Sequence, residues 1–407
     1  MMSTAEKIMS FISLVIPLNP TNKSTGGMVA FMNHIAAFDK LVVDSKKICI
    51  IIDNINNAVQ QDLDLLSKKY PTVTFRIASQ RVNFFEMPSM AKLFFYARAV
   101  VSFMPFDVYA RKVFFDAELN GVLKNSKSII LDHLYSYGLL DSFGSGSQRL
   151  IYIAHNVESE IVHDRLRAES GLLKKSFFFV DYFKTKYFEW KVLKKAKRVI
   201  FISKTDYDHL GKIDDLLSTE LIAPSRYQWS SSGSRRIVFL GGMDYFPNLD
   251  AVKWLRYEFF DNLYSLDPDI EVAIVGKVSE QLVQEMETKN FRFYGFLSSE
   301  RLDEILKTSA IFISPINLGS GIKIKLLEAL SRGLPVISTR KSLCGLESLS
   351  SILVFNRSDA QGAAKLAFSL IHNTDQLQKI SAEQSRQYYG LCQSSLTFEG
   401  ALTLSLE

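Results

Sequence analysis

Residues 314–339 read SPINLGSGIKIKLLEALSRGLPVIST. The apolar run that ends before Pro315 is a strand, NLGSG is a glycine-rich loop, and IKIKLLEALS repeats apolar residues at helical spacing. Gly333 and Pro335 then punctuate the helix end, and PVIST opens another strand. Strand, loop, helix, strand is the unit of a parallel sheet, because a parallel neighbour is reached only by a crossover. Gly319 and Gly321 let the backbone come close to a ligand. A helix starting near Ile322 offers unpaired amides and a positive dipole end, which suits phosphate. Lys323 and Lys325 add cations there, and Glu328 follows Lys325 by three residues on one helix face. A carboxylate so placed can accept two hydroxyl hydrogen bonds, as a ribose diol offers. The plain alternative is a solvated helix with a Lys325–Glu328 ion pair.

The same alternation runs through the 407 residues. Strand-like runs lie at 11–18, 46–53, 73–78, 128–134, 149–156 and 198–204, and again at 235–242, 270–277, 291–296, 310–316, 335–339 and 351–355. Helix-period segments separate most of them. Continuous apolar strands between amphipathic helices predict parallel sheets covered on both faces, an α/β fold. The length exceeds one ordinary core, so two Rossmann-like domains are expected. SRYQWSSSGS at 225–234 is the linker candidate. The domains are read as 1–224 and 225–374, followed by a helical segment, 375–407, that is open to crossing back toward the first.

Hydrophobic residues make up 47% and charged residues 22%, which excludes a largely disordered chain. A net charge of +5 suits an anionic ligand or membrane surface and does not by itself suggest nucleic-acid binding. Cys49, Cys344 and Cys392 are far apart and odd in number, so neither a disulfide framework nor a zinc site is expected, and a reducing, cytoplasmic setting is. The run IMSFISLVIPLNP is read as a buried first strand, since Glu6 and Lys7 precede it and no small-residue cleavage site follows. No apolar run approaches the roughly 20 residues that span a bilayer.

FLGGMDYFPNLDAVKWL at 239–255, VAIVGK at 272–277, FRFYGFLSSERLDEIL at 291–306, the Glu328-bearing string and CGLE at 344–347 together resemble the family 4 glycosyltransferases of the GT-B fold. The resemblance covers nearly the whole second domain. It implies two Rossmann-like domains facing across a cleft and a nucleoside-diphosphate-sugar donor, with UDP the expected nucleotide. Glu328 would bind the ribose. Lys325, Lys323 and the loop Gly319–Ser320–Gly321–Ile322 would bind the diphosphate, joined by Gly242 and Lys277. Many relatives carry a first glutamate where Ser320 stands here; a sub-group with the GSG pattern also lacks it, so its absence is not read as inactivity. The usual Arg and Lys of the GGMDYFPN loop are absent as well.

In the first domain, STGG at 24–27 is similar to the family's glycine-rich loop, and Gly26 and Gly27 would let amides approach a ligand. His133 in LDHLYSYG and His155 in HNVES stand at strand ends, where ligands of parallel sheets bind. With Lys325 they are the catalytic candidates. Asn156 and Glu158 are the acceptor candidates, although a carboxylate at a helix start is also ordinary. DLD at 62–64 and DPD at 267–269 imitate a metal-binding string of the other large glycosyltransferase fold, but neither follows a strand end, so no metal is expected. The Phe- and Lys-rich segments 92–115 and 172–198 suit an anionic membrane surface or, more commonly, core-facing helices with solvated lysines.

The implied reaction is sugar transfer to a hydroxyl of a glycan, lipid-linked or protein acceptor. It is expected to retain anomeric configuration and to need no cofactor beyond the donor sugar. An epimerase or hydrolase on the same architecture, or a non-catalytic partner subunit, are the rival readings.

Overall fold

The computed structural model describes residues 11–16, 26–53, 57–79, 87–110, 117–137, 148–218, 229, 233–319 and 321–407. The chain divides into two compact units. The first runs to Thr219 and takes back Leu396–Glu407, and the second extends from Glu220 to Ser395 and takes in Ser24–Gly26. The helices that bear on the site are α1 (Gly26–Lys40), α2 (Ser89–Val101), α3 (Glu158–Ala168), α4 (Leu172–Lys195), α5 (Phe246–Trp254), α6 (Ile324–Ser331), α7 (Thr374–Ser394) and α8 (Phe398–Leu406).

The first unit is built on β1 (Phe11–Ile16), β2 (Lys46–Asp53), β3 (Val73–Ser79), β4 (Ser126–Asp132), β5 (Arg149–Ala154), β6 (Arg198–Phe201) and β7 (Leu216–Leu217). They pair in parallel in the order β3-β2-β1-β4-β5-β6-β7. The string KKICIIID shows why β2 is central. Ile48, Ile50 and Ile52 fill one core, while Cys49 and Ile51 fill the other. A strand alternates its side chains, so an unbroken apolar run pays off only with helices on both faces. Each such side chain contributes about 1.5–3 kcal/mol on burial.

The second unit has β8 (Arg236–Leu240), β9 (Glu271–Val275), β10 (Phe291–Gly295), β11 (Ile311–Ser314), β12 (Val336–Ser338) and β13 (Leu353–Val354). Their order is β10-β9-β8-β11-β12-β13, again parallel. In both sheets the strand order reverses direction once, at β1/β4 and at β8/β11. Outside the carboxyl ends of strands at such a switch point is where α/β sheets bind ligands.

The two closing helices go to different units. Helix α7 is fixed to the second sheet by Gln384, whose Oε1 accepts the Val336 N–H at 2.8 Å while its Nε2 donates to the Val336 carbonyl at 2.9 Å. Helix α8 buries Ala401 and Leu402 in the core that β1 shares, and Arg149 donates to the Leu406 carbonyl at 2.5 Å.

Each expected strand window contains a strand. The two-residue β7 carried no readable pattern. Of the expected linker, only Trp229, Gly233 and Ser234 are described. Trp229 is not solvated: it is buried, with Nε1 donating to Ser309 O at 2.7 Å and its N–H to Arg332 O at 2.9 Å. DLD lies in the helix Asn57–Lys69, and DPD joins the helix Phe260–Leu266 to β9. The 172–198 segment faces the core in part, with Phe188 and Val192 buried in it. In α4 the positions turned inward are Asp181, Thr185, Phe188, Glu189 and Val192, and the aromatic stripe faces out. Among the described residues, no helix is long and apolar enough to cross a membrane.

Candidate functional site

At the β8/β11 switch point the strand-end loops are laced together. Gly241 N–H donates to Val275 O at 2.8 Å, and Met243 N–H to Lys277 O at 2.7 Å. Gly276 adopts φ 140, and a Cβ there would run into the Gly241 carbonyl, so only glycine lets β8 and β9 end so close. From α5, the buried Asn248 donates from Nδ2 to Gly242 O at 2.8 Å and presents Oδ1 to the Lys325 ammonium. Lys325 Nζ also lies 4.7 Å from the centre of the Phe239 ring. Burial, reinforced by the charge of Lys323, pulls the Lys325 ammonium down to about 7.

Gly319 and Gly321 take φ 82 and 72, the left-handed region that side chains resist. Ser320 between them lies outside the described residues. Helix α6 begins at Ile324, later than expected, so Ile322 and Lys323 belong to the approach, where Lys323 Nζ donates to Gly321 O at 2.8 Å. Buried Leu326, Leu327 and Leu330 hold α6 against the core. Gly333, at φ 73, ends the helix, with Leu334 N–H donating to Ala329 O at 3.1 Å.

The Lys325–Glu328 ion pair does not form. Lys325 turns to Asn248, and Glu328 pairs through Oε2 with Arg332, one turn on, which in turn reaches Asp303 at 2.6 Å. Residues three apart share a face only loosely, and here the core of the unit draws one and the surface the other. Glu328 Oε1 accepts no hydrogen bond among the described residues. Lys277 stands apart from this group, 3.7 Å from Asp244 and largely exposed.

Gly26 and Gly27 are the opening residues of α1 rather than part of a loop; Ser24 and Thr25 lie outside the described residues. In the first unit, the ends of β4 and β5 bring together a buried polar cluster. Asp132 accepts from His34 Nδ1 at 2.6 Å through one oxygen and from His155 Nε2 at 2.5 Å through the other. Burial pushes the Asp132 carboxyl up. The charges and hydrogen bonds of His34 and His155 outweigh that and hold it well below the usual carboxylate range. With Asp132 ionised, His34 Nδ1 and His155 Nε2 both donate to it, and His155 Nδ1 is the ring nitrogen turned away from the carboxylate. That atom makes no hydrogen bond to the described residues.

These three residues also form the one group of convergent metal-ligand types among the described residues. Their spacing is that of shared protons. Atoms binding one zinc ion at about 2.0–2.1 Å would stand roughly 3.3 Å apart.

The chain then turns sharply. His133 has φ 74, the only positive φ at a non-glycine among the described residues. Strain of this kind collects at ligand sites. His133 Nε2 lies 3.1 Å from Glu158 Oε1, which also accepts from Asn156 at 3.2 Å, while Tyr135 donates to Glu158 Oε2 at 2.8 Å. Burial would raise the Glu158 carboxyl, but the charge of His133 and the bonds from His133, Tyr135 and Asn156 bring it down to about 2. Beneath it, Glu189 of α4 caps α3 by accepting the Glu158 N–H at 2.8 Å and the Ser159 hydroxyl at 2.7 Å. Burial lifts Glu189 to about 7; the Ser159 bond opposes the rise and the Glu158 charge adds to it.

Residues 234–373, from just before β8 to just past the helix Ala360–Ile371, match the family described as Glycosyl transferases group 1. TarM is similar over 98% of this chain and 99% of its own, with a TM-score of 0.63 at 11% identity. Anabaena HepE is similar over 98% and 97%, with a TM-score of 0.58 at 13% identity. The chain has the GT-B fold, and its second unit carries a glycosyl transferases group 1 domain. TarM of S. aureus has been solved, as a variant, with fondaparinux, alpha-GlcNAc-glycerol and UDP, and HepE with UDP and glucose. The chain is also 24% identical over 248 residues to an uncharacterized 44.6 kDa protein in the cps region of Klebsiella pneumoniae, a match covering 59% of this chain and 63%, less than two thirds, of that one. Both glycine-bearing loops, Lys325 and Glu328 fall inside the family match.

Asp132, His34, Tyr135 and Glu189 in the first unit and Asn248 and Arg332 in the second carried no role in the sequence reading. Asp132 had a readable signal, a carboxylate at the last position of an apolar strand. Asn248 sits in the FPN string that was read for the cations it lacks. His34, within a helix, carried none.

Proposed function

We propose that the protein transfers a sugar from a UDP-sugar to the hydroxyl of a glycan, lipid-linked or protein acceptor, with retention at the anomeric carbon and without a metal. The second unit is the donor domain and the first the acceptor domain. The observation that carries this reading is the Lys325–Asn248 pair under the strand ends at β8/β11, with Glu328 one turn along α6. The UDP seen with TarM and HepE supports the choice of nucleotide.

In this reading Glu328 Oε1 takes the ribose hydroxyls. Lys325, Lys323 and the amides of Gly319–Ile322 take the diphosphate, aided by Gly242 and Lys277. The acceptor oxygen bonds to the anomeric carbon as the bond to the diphosphate oxygen breaks, and the acceptor proton leaves with the diphosphate. The negative charge that develops there is stabilised by fixed cations and oriented amides, which need no reorganisation during the step. His155, held in one tautomer by Asp132, offers Nδ1 to a sugar hydroxyl, and His133, with Gly26 and Gly27, flanks the reacting sugar. Asn156 and Glu158 orient the acceptor. The setting is glycan, polysaccharide or glycoprotein assembly in the cytoplasm, in peripheral contact with the inner membrane face.

The test is a thermal-shift series with UDP, GDP, ADP, CMP and their sugars on the wild type and Glu328→Ala. A ligand at 100 times its dissociation constant adds about 2.7 kcal/mol to folded-state stability. A shift with UDP that Glu328→Ala loses supports the donor site; no shift with any nucleotide overturns it.

A further inference from the structure

Helix α4 packs Phe188 and Val192 into the core and carries a second, aromatic stripe on its solvent side. Its 24 residues span about 36 Å. Phe179, Phe183, Tyr187 and Trp190, spaced by four, four and three residues, form one stripe and are each more than half exposed. The rings contact in two pairs along the stripe: Phe179 and Phe183 are 5.1 Å apart, and Tyr187 and Trp190 are 6.0 Å apart. The inward side carries two carboxylates beside the core residues Phe188 and Val192. Asp181 accepts the Phe106 N–H at 2.7 Å, and Glu189 caps α3.

Helix α2 adds a second stripe beside it. Met90, Leu93, Phe94 and Val101 are each more than six-tenths exposed. The two helices are joined by Lys184, which donates to Ala99 O at 2.9 Å, and by the Tyr96–Phe177 ring contact at 5.2 Å. Leu172 and Leu173, almost fully exposed, extend the apolar surface at the start of α4.

Charge decides what covers this face. Because Asp181 and Glu189 are buried, every exposed charge on α4 is a lysine: Lys174, Lys175, Lys186, Lys194 and Lys195. Lys194 Nζ rests 5.0 Å from the Trp190 ring. Lysines that border an aromatic stripe place ammonium groups at headgroup level while the rings enter the acyl boundary. A second copy of the chain meeting this face about a two-fold axis would set lysine against lysine. We propose that α2 and α4 form the docking surface of this protein on an anionic lipid bilayer, with α4 lying in the plane of the interface.

The test is co-sedimentation of the full chain with vesicles of phosphatidylcholine alone and of phosphatidylcholine with phosphatidylglycerol, at low and high salt. The expected result is binding at least about tenfold tighter to the anionic vesicles, weakened by salt, since each lysine near such a surface contributes to attraction. The chain has three tryptophans, and Trp229 and Trp254 are buried, so Trp190 emission should shift to the blue on binding. F183S/W190S should lose binding, and K174E/K175E should weaken it, both with unchanged melting temperature and unchanged UDP thermal shift. Nucleotide response is thus read separately from lipid response. A chain that stays in the supernatant with both vesicle types overturns the proposal. So does salt-insensitive binding to neutral vesicles, or a stable dimer in solution that F183S/W190S dissociates.

Discussion

The Lys325 ammonium is bound by the Asn248 side-chain oxygen, 77 positions away, and not by Glu328 in the next turn of its own helix. That leaves a cation with a depressed pKa beneath the glycine loops, and a carboxylate free to turn one oxygen outward. Lys325 near 7 is only partly charged at neutral pH, and in the proposed donor site an arriving diphosphate would recharge it.

Donor affinity should therefore depend on pH through Lys325. The anion favours the protonated lysine, so binding takes up a proton above about 7, and affinity falls as pH rises from 7 toward 9, by up to tenfold per unit. Lys325→Met should weaken UDP about tenfold to a hundredfold at pH 7 and abolish the slope. Calorimetric titration with UDP across that range checks both.

Glu328→Ala should weaken UDP binding by about tenfold to a hundredfold and leave the melting temperature almost unchanged, because its partner Arg332 retains Asp303. Wild-type affinity in that variant would remove Glu328 from the ribose site.

Asp132→Asn keeps the shape of the buried cluster and removes the charge that fixes His155. Turnover should fall about a hundredfold or more, with a smaller effect on the Michaelis constant for donor. Steady-state kinetics of sugar transfer read the split, and a parallel melting curve separates it from unfolding.

The paired glutamates should shape stability against pH in opposite directions. Glu158 is depressed from its ordinary 4.5 to about 2, so its contribution is complete above 4.5 and is lost as pH falls toward 2, amounting to about 3 kcal/mol. Glu189 is raised from 4.5 to about 7, so it costs a similar amount as pH rises from 4.5 through 7. Glu189→Gln should accordingly raise the melting temperature at pH 8 and do little at pH 4.5. Equal shifts at both values would contradict the assignment.

Gln384→Ala should destabilise the second unit by about 2–3 kcal/mol, since it strips partners from the Val336 N–H and carbonyl at once. Urea unfolding with an unchanged m-value is the check.

The alternation of apolar runs and helical periods was enough to predict two parallel sheets, because burial on both faces of a strand is written in consecutive residues such as KKICIIID. The glycine loop, the helix after it and the strand-end histidines were legible for the same local reason. What a residue pairs with is a different matter. His34 and Asp132 meet across 98 positions, Lys325 and Asn248 across 77, and neither distance leaves a periodic trace. The outward face of α4 is the clearest case. Its composition suits a core helix or an interfacial one equally, and only the tertiary structure, which turns Asp181 and Glu189 inward to cap neighbouring helices, decides that the aromatics face out.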